Sequence, residues 1–169
     1  MNKQDLKLQE AKYFYDQMLT KSLEGNLTEL QFAVSSFINA GRSVLQYTHT
    51  DSINNTEKIT IYNEMVSGNQ TLRLFKELRD TNIHSKPVET IRIANNYQEA
   101  FLFIRTPETT EEELESYQNE KETVNGVRDE VKYYFDDSDD QEDILTLAQK
   151  YVHELEQFIK VARTKGILE

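Results

Sequence analysis

The sequence predicts a mainly α protein, an up-and-down bundle of four to five helices with a small antiparallel β-sheet inserted before the last helix. Residues that break helices are scarce, since the 169 residues include only 5 Gly and 2 Pro. Apolar residues recur at helical spacing towards both ends of the chain, whereas short alternating segments occur within residues 88–135. We therefore expect a single helical domain over residues 1–169, in which residues 88–135 form a β-containing acidic insert.

Two helices open the chain. Apolar spacing predicts the first over residues 3–24, and a glycine ends it. Asn26 is suited to cap the second helix, because its side chain can accept from a free N–H group of the first turn, and Glu29 is its capping-box partner. The apolar stripe of the second helix ends at Thr48, and the polar residues 49–56 predict a turn.

Two further helical segments flank the insert. The first covers residues 57–82, and we expect Gly68 to break or kink it. Pro87 prevents its continuation, because the residue before a proline is pushed out of the helical region. The last helix carries an apolar stripe over residues 144–162, and Gly166 is its C-cap candidate.

The insert contains three segments with the pattern of short strands. Residues 90–94 and 131–135 alternate apolar and polar side chains, and residues 101–104 form a short apolar run. Residues 107–127 are polar and strongly acidic, which fits either a solvated helix or a mobile loop. We expect the three strands to pair in antiparallel fashion.

Charge is distributed unevenly along the chain, whose net charge is −11. Residues 108–143 hold 15 acidic and three basic residues, while the rest holds 15 acidic and 16 basic ones. This pattern argues against the broad basic face of a stable nucleic-acid binder, but not against an enzyme that contacts a few phosphates. The longest apolar run has five residues, too short for a membrane span, and no apolar leader is present. We expect a cytoplasmic protein without a cofactor.

Two motifs suggest metal binding but have simpler interpretations. The acidic residues 136–143 lack the central glycine of a calcium loop, so a helix N-terminus stabilised by carboxylates is favoured. His153 and Glu154 begin like a zinc-protease motif, but Gln157 stands where the second histidine is needed. A surface or half-buried structural histidine is therefore favoured, and no metal site is predicted.

One group of residues could carry acid–base chemistry: Arg79, Asp80 and His84, at the end of the third helical segment. A neutral imidazole can accept a proton from a ribose 2′-hydroxyl, and a guanidinium can bind a phosphate through two oxygens. Asp80 can orient either group. Five residues of helix separate Arg79 from His84 by a rotation of about 140°, but unwinding of the helix end can bring both to one cleft. The alternative is that these residues have no catalytic role and only form a helix end that is capped and paired.

Two more residues are candidates for this cleft. Arg42 follows small residues that allow close helix approach, where an unpaired charge would be costly. It is expected either to form a structural ion pair with Glu77 or Asp80, or to line the same cleft as His84. Asn82, between the motif's arginine and histidine, is the second candidate.

Residues 72–84 resemble the signature of the HEPN (higher eukaryotes and prokaryotes nucleotide-binding) domains: an arginine, a polar residue, three to five further residues and a histidine at the end of a bundle helix. Residues 32–44 resemble the preceding helix of bacterial members, the last helix matches in pattern only, and residues 88–135 do not match. The resemblance implies a homodimer in which two Arg–His pairs face one cleft. It also implies metal-independent RNA cleavage to a 2′,3′-cyclic phosphate, often by the toxin of a toxin–antitoxin pair or in phage defence.

Carried over by position, Arg79 would bind phosphate, Asp80 would be the polar support and His84 the acid–base group. Many members have Asn after the arginine, and an Asp there can pair with Arg79 and weaken its phosphate contact. The first functional hypothesis is thus a HEPN-type endoribonuclease, held in check by an inhibitory protein partner. The second is a non-catalytic module that dimerises through the bundle and binds a basic partner through its acidic segment. A third, weaker idea is that this segment mimics nucleic acid or shields the cleft.

Overall fold

The computed structural model describes the backbone of residues 2–84, 90–97, 128–135 and 142–169, and the side chains of residues 2–80, 131–135 and 142–169. The described elements are, in order, α1 (Lys3–Leu23), α2 (Leu27–Ser52), α3 (Thr56–Ser67), α4 (Gln70–His84), β1 (Thr90–Tyr97), β2 (Arg128–Phe135) and α5 (Ile144–Thr164). The mainly helical fold with strands before the last helix is confirmed. β1 and β2 pair in a two-stranded sheet, while the expected strand at 101–104 and the acidic residues 107–127 lie outside the described residues.

The chain divides into two compact units. One comprises Met1–Ile91 and Tyr133–Glu169, which includes the five described helices, and the other comprises Arg92–Lys132. The single domain expected over residues 1–169 stays a prediction. No helix in the described part of the chain is long and apolar enough to cross a membrane.

Contacts along three helices show that their directions alternate. Lys3 of α1 pairs with Asp51 near the end of α2, and Lys21 at the other end of α1 pairs with Glu29 near the start of α2. In the same way, Asp5 and Lys12 of α1 contact α5 at positions 163 and 156 respectively. α1 therefore runs antiparallel to both α2 and α5, as in an up-and-down bundle.

The helix ends follow local capping rules in most places. The Asn26 side chain accepts from the Glu29 N–H at 3.2 Å, which confirms the expected N-cap of α2. The break near Gly68 is also confirmed, since α3 ends just before it and the Asn69 side chain accepts from the Leu72 N–H of α4 at 3.0 Å. Gly166 has φ +67° just after α5, where a left-handed residue ends a helix.

The predicted end of α2 is wrong. The helix continues to Ser52, so His49 is helical and not part of a turn. Thr48 and Ser52 are buried, and each hydroxyl donates to the carbonyl oxygen four residues earlier, at 2.9 and 2.7 Å. Polar residues that look like a turn in the sequence thus satisfy their hydrogen bonds inside the helix.

An aromatic stack joins three helices in the core. Tyr151 of α5 lies parallel to Phe75 of α4, with ring centroids 4.0 Å apart, and Phe37 of α2 meets both rings edge-on at 5.8 Å. All three side chains are buried. Tyr151 fits because α2 has Gly41 beside it: a Cβ there would overlap the ring and lie 3.1 Å from its hydroxyl oxygen. α5 can therefore approach α2 closely only at a residue without a side chain.

We predict that Gly41→Ala destabilises the bundle, lowering the free energy of unfolding by about 1–3 kcal/mol, as overpacking does in cores. At an unobstructed helical position the same change would stabilise by about 1 kcal/mol, so the sign of the effect is informative. Urea denaturation followed by circular dichroism measures it.

The matched control is the double variant that combines Gly41→Ala with Tyr151→Leu, because Tyr151→Leu removes the obstructing ring. Gly41→Ala should cost less in the Tyr151→Leu background than in the wild type, giving a coupling energy above about 0.5 kcal/mol. Additive effects, or a wild-type background stabilised by Gly41→Ala, would contradict the close packing of Tyr151 on α2.

Candidate functional site

A cavity of about 480 Å³ opens between α2, α3 and α4; we call it the α2–α4 cavity. Its volume falls in the range of small-molecule sites, roughly 300–1,000 Å³. The side chains that matter for its chemistry are Arg42 and His49 of α2, Tyr62 of α3, and Arg73, Lys76 and Asp80 of α4.

Arg42 is the half-buried cation of this cavity. Its Nε and Nη1 atoms are buried and have no hydrogen-bond partner among the described residues. Glu77 and Asp80 line the same cavity, yet neither forms an ion pair with Arg42. The structural ion pair that one hypothesis expected is therefore not formed, and Arg42 instead shares a cavity with a residue of the predicted site.

Two buried tyrosines lie within the electrostatic reach of Arg42. Burial raises the pKa of Tyr62 and of Tyr151, and the nearby Arg42 charge only partly opposes this effect. The Tyr151 hydroxyl has no hydrogen-bond partner in the described part of the chain. The His49 ring packs edge-on against Tyr62, with centroids 5.2 Å apart. Because both hydroxyls stay protonated at neutral pH, they can donate hydrogen bonds but cannot act as bases.

The α4 side of the cavity adds two exposed cations, Arg73 and Lys76. Neither forms an ion pair with a carboxylate among the residues whose side chains are described. Glu77 and Asp80 lie on the same side, at positions that place all four residues on one helix face. The cavity thus has three cations against two carboxylates, and its excess charge is positive.

The structure describes two of the three predicted catalytic side chains. Arg79 Nη1 donates to Asp80 Oδ1 at 3.1 Å, so the pairing expected of an aspartate at this position is confirmed. The Arg79 side chain is 32% exposed and does not line the α2–α4 cavity, whereas Asp80 does. Asp80 therefore links the predicted motif to the cavity.

The predicted third helical segment is longer than expected, since α4 extends to His84 rather than ending near position 82. Because the backbone is helical throughout, positions 79 and 84 lie about 140° apart around the helix axis, and no unwinding brings them together. The side chains of Asn82 and His84 lie outside the described ones. Their roles in the site stay predictions.

The sequence alone assigns no role to Arg73, Lys76, His49 or Tyr62. A signal for α4 was present, because positions 73, 76, 77 and 80 have the spacing of one helix face. His49 falls in the segment predicted to be a turn, and no sequence pattern singles out Tyr62. Only the packing of α2 and α3 against α4 places these groups at one cavity.

The motifs that suggested metal binding have structural roles where they are described. Asp143 accepts from the N–H groups of Leu145 and Thr146, so the helix-capping interpretation is confirmed at this residue; residues 136–141 lie outside the described part. His153 is exposed on α5, as a surface histidine. No group of three metal-ligating side chains occurs among the described residues.

Comparison with known proteins finds no family model that matches the chain, no similar curated protein and no similar solved structure. The resemblance to HEPN domains therefore stays a prediction.

The raised tyrosine pKa values predict that the protein loses stability at alkaline pH. The folded state holds the Tyr62 and Tyr151 protons to a higher pH than the unfolded chain, whose tyrosines ionise near pH 10. The free energy of unfolding should be insensitive to these groups below about pH 9. Above about pH 10 it should fall by up to about 1.4 kcal/mol per pH unit for each group. Urea denaturation at several pH values measures the slope.

Tyr151→Phe should reduce this slope, because it removes one of the tyrosines whose pKa burial raises while keeping the ring that stacks on Phe75. At neutral pH its free energy of unfolding should equal or slightly exceed that of the wild type, since it removes a buried hydroxyl without a described partner. Tyr13→Phe, at an exposed position of α1, is the control. An unchanged slope in Tyr151→Phe would show that Tyr151 ionises without a penalty.

Proposed function

We propose that the protein is a metal-independent endoribonuclease of the HEPN type, with Arg79, Asp80 and His84 as its catalytic residues. The observation that carries the proposal is the position of Asp80. This motif residue bonds to Arg79 and also lines a cavity with three cations. The least exposed of these cations, Arg42, lacks a carboxylate partner among the described residues. Such a cavity can attract RNA phosphates to the end of α4 that carries the motif.

The proposed reaction is attack by the RNA on itself. His84 accepts the proton of a ribose 2′-hydroxyl, whose oxygen then bonds to the adjacent phosphorus. The bond from phosphorus to the 5′-oxygen breaks, and that oxygen takes up a proton from a second acid–base group. The products are a 2′,3′-cyclic phosphate and a 5′-hydroxyl. Arg79 stabilises the extra negative charge of the transition state. Because imidazole and guanidinium supply base and charge, the cleavage does not need a divalent cation.

The proposal includes a homodimer. Positions 79 and 84 lie about 140° apart around a continuous helix, so one copy of α4 does not by itself direct both at one phosphate. Two copies that meet at this helix end can combine the arginine of one with the histidine of the other. The proposed setting is cytoplasmic RNA cleavage by a toxin or a phage-defence protein, with an inhibitory protein partner.

A second candidate function is a non-catalytic interaction module. The observation in its favour is the hydrogen bond between Arg79 and Asp80, which occupies the guanidinium that would otherwise bind phosphate. In this function the helix end is a paired structural cap. The bundle then serves dimerisation and partner binding, and RNA stays intact.

RNA incubated with the protein in EDTA distinguishes the two functions. The nuclease hypothesis predicts cleavage that persists in EDTA and falls by about 100-fold or more in His84→Ala, the size of a typical acid–base contribution. His153→Ala, which removes an exposed histidine of α5, is the matched control and should cleave like the wild type. Intact RNA under all conditions would favour the interaction module.

Asp80→Asn is expected to increase cleavage, because it releases Arg79 from its ion pair and restores the residue that many HEPN domains have. An exposed pair of this kind contributes up to about 1 kcal/mol, which corresponds to a rise of up to about fivefold in kcat/KM. Glu64→Gln, at an exposed position of α3, changes the net charge equally and is the control. A fall in cleavage in Asp80→Asn alone would instead make the carboxylate itself essential.

A further inference from the structure

We propose that the α2–α4 cavity is a binding site for a terminal phosphate group, with Arg42 as its anchor. The ligand is a phosphate monoester, carried either by a small molecule or by the phosphorylated end of an RNA. Arg79 does not line this cavity, and the site is argued without any contact from the proposed catalytic residues, so it does not rest on the proposed cleavage chemistry.

Arg42 is the first argument for an anion. A guanidinium taken partly out of water is stable only when its charge is compensated and its donors are bonded. The described carboxylates do not compensate it, because Glu77 and Asp80 line the cavity without pairing to it. A phosphate group accepts charge-assisted hydrogen bonds from arginine and would supply the missing charge.

The second argument is the convergence of further cations at the same opening. Arg73 and Lys76 are one helical turn apart on α4 and reach the cavity from its exposed side, without carboxylate partners among the described side chains. Together with Arg42 they place positive charge on two walls of the cavity. The Tyr62 hydroxyl also lines the cavity: its oxygen accepts a hydrogen bond from Arg42, and its O–H is a further neutral donor.

The carboxylates of Glu77 and Asp80 select the kind of anion. They leave the cavity an excess of about one positive charge, which suffices to hold one phosphate group but not a series of phosphates inside the cavity. A monoester phosphate carries about −1.5 to −2 charges at neutral pH and three acceptor oxygens. The cavity volume of about 480 Å³ also leaves room for the group to which the phosphate is attached.

Isothermal titration calorimetry on the full chain tests the site, with 5′-AMP, inorganic phosphate and adenosine as probes. The protein carries His84→Ala throughout, so that cleavage or its absence does not enter the result. We expect 5′-AMP and phosphate to bind, and adenosine to bind at least about tenfold more weakly, because the charge-assisted contacts are missing. Equal affinity for adenosine and 5′-AMP, or no heat with 5′-AMP up to about 10 mM, would overturn the proposal.

Arg42→Met should weaken 5′-AMP binding by about tenfold or more, the loss typical of one charge-assisted contact. Because a change at a half-buried residue can also disturb folding, Lys76→Ala is the second variant. Lys76 is exposed, and its loss should weaken binding by about threefold while leaving the thermal midpoint unchanged. Arg163→Ala removes a cation of α5 that pairs with Asp5 and is the control. Unchanged affinity in both cavity variants would assign the binding to another surface.

A last comparison identifies the source of the phosphate. Tetranucleotides with a 5′-phosphate and with a 5′-hydroxyl are titrated beside 5′-AMP. Tighter binding of the phosphorylated tetranucleotide than of 5′-AMP assigns the site to an RNA end, and the reverse assigns it to a small phosphorylated molecule. Both results support a terminal-phosphate site, whereas equal binding of the two tetranucleotides at an affinity no weaker than that of 5′-AMP would overturn it.

Discussion

The bundle depends on one close approach, that of Tyr151 to the backbone of α2 at Gly41. The Tyr151 ring fills the space that a side chain at position 41 would need, and it stacks on Phe75 in the core. The stack joins α2, α4 and α5 at one point, because Phe37 meets both rings edge-on. The next residue along α2 is Arg42, so the packing that fixes these helices also fixes the guanidinium at the α2–α4 cavity. Gly41, which allows the close packing of the core, and Arg42, which lines the cavity, are thus adjacent in the sequence.

Charge is distributed unevenly over the protein. The whole acidic excess lies in residues 108–143, whereas the cavity between α2, α3 and α4 is lined by more cations than carboxylates. A protein with a net charge of −11 repels RNA at long range, since its overall field has the same sign as the phosphates. A local pocket of positive charge can still hold one phosphate group, because screening confines the overall field to about one Debye length. A cavity that binds a single terminal phosphate fits this difference between the net charge of the protein and the charge of the cavity.

Local features could be predicted from the sequence, and tertiary ones could not. Asn26 and Gly166 end helices through contacts within a few residues, so their roles follow from the residue type and its position. The end of α2 was mispredicted because the hydroxyls of Thr48 and Ser52 bond back into their own helix, a choice that a polar sequence does not reveal. The pairing of Arg42 was open for a different reason: it depends on which helices lie beside α2. The Arg79–Asp80 bond, between sequence neighbours, could be anticipated.

The ion pair between Asp5 and Arg163, with Nη2 to carboxylate distances of 2.6 and 2.7 Å, places the first turn of α1 beside the last turn of α5. The short connection between α1 and α2 turns at Gly25, an exposed residue with φ +69°. A short flexible linker could therefore join the start of α1 to the end of α5, and the chain could be opened at Gly25 with the helix packing kept. A fusion partner attached at Gly25 would lie at the opposite end of α1 from the ion pair between Asp5 and Arg163.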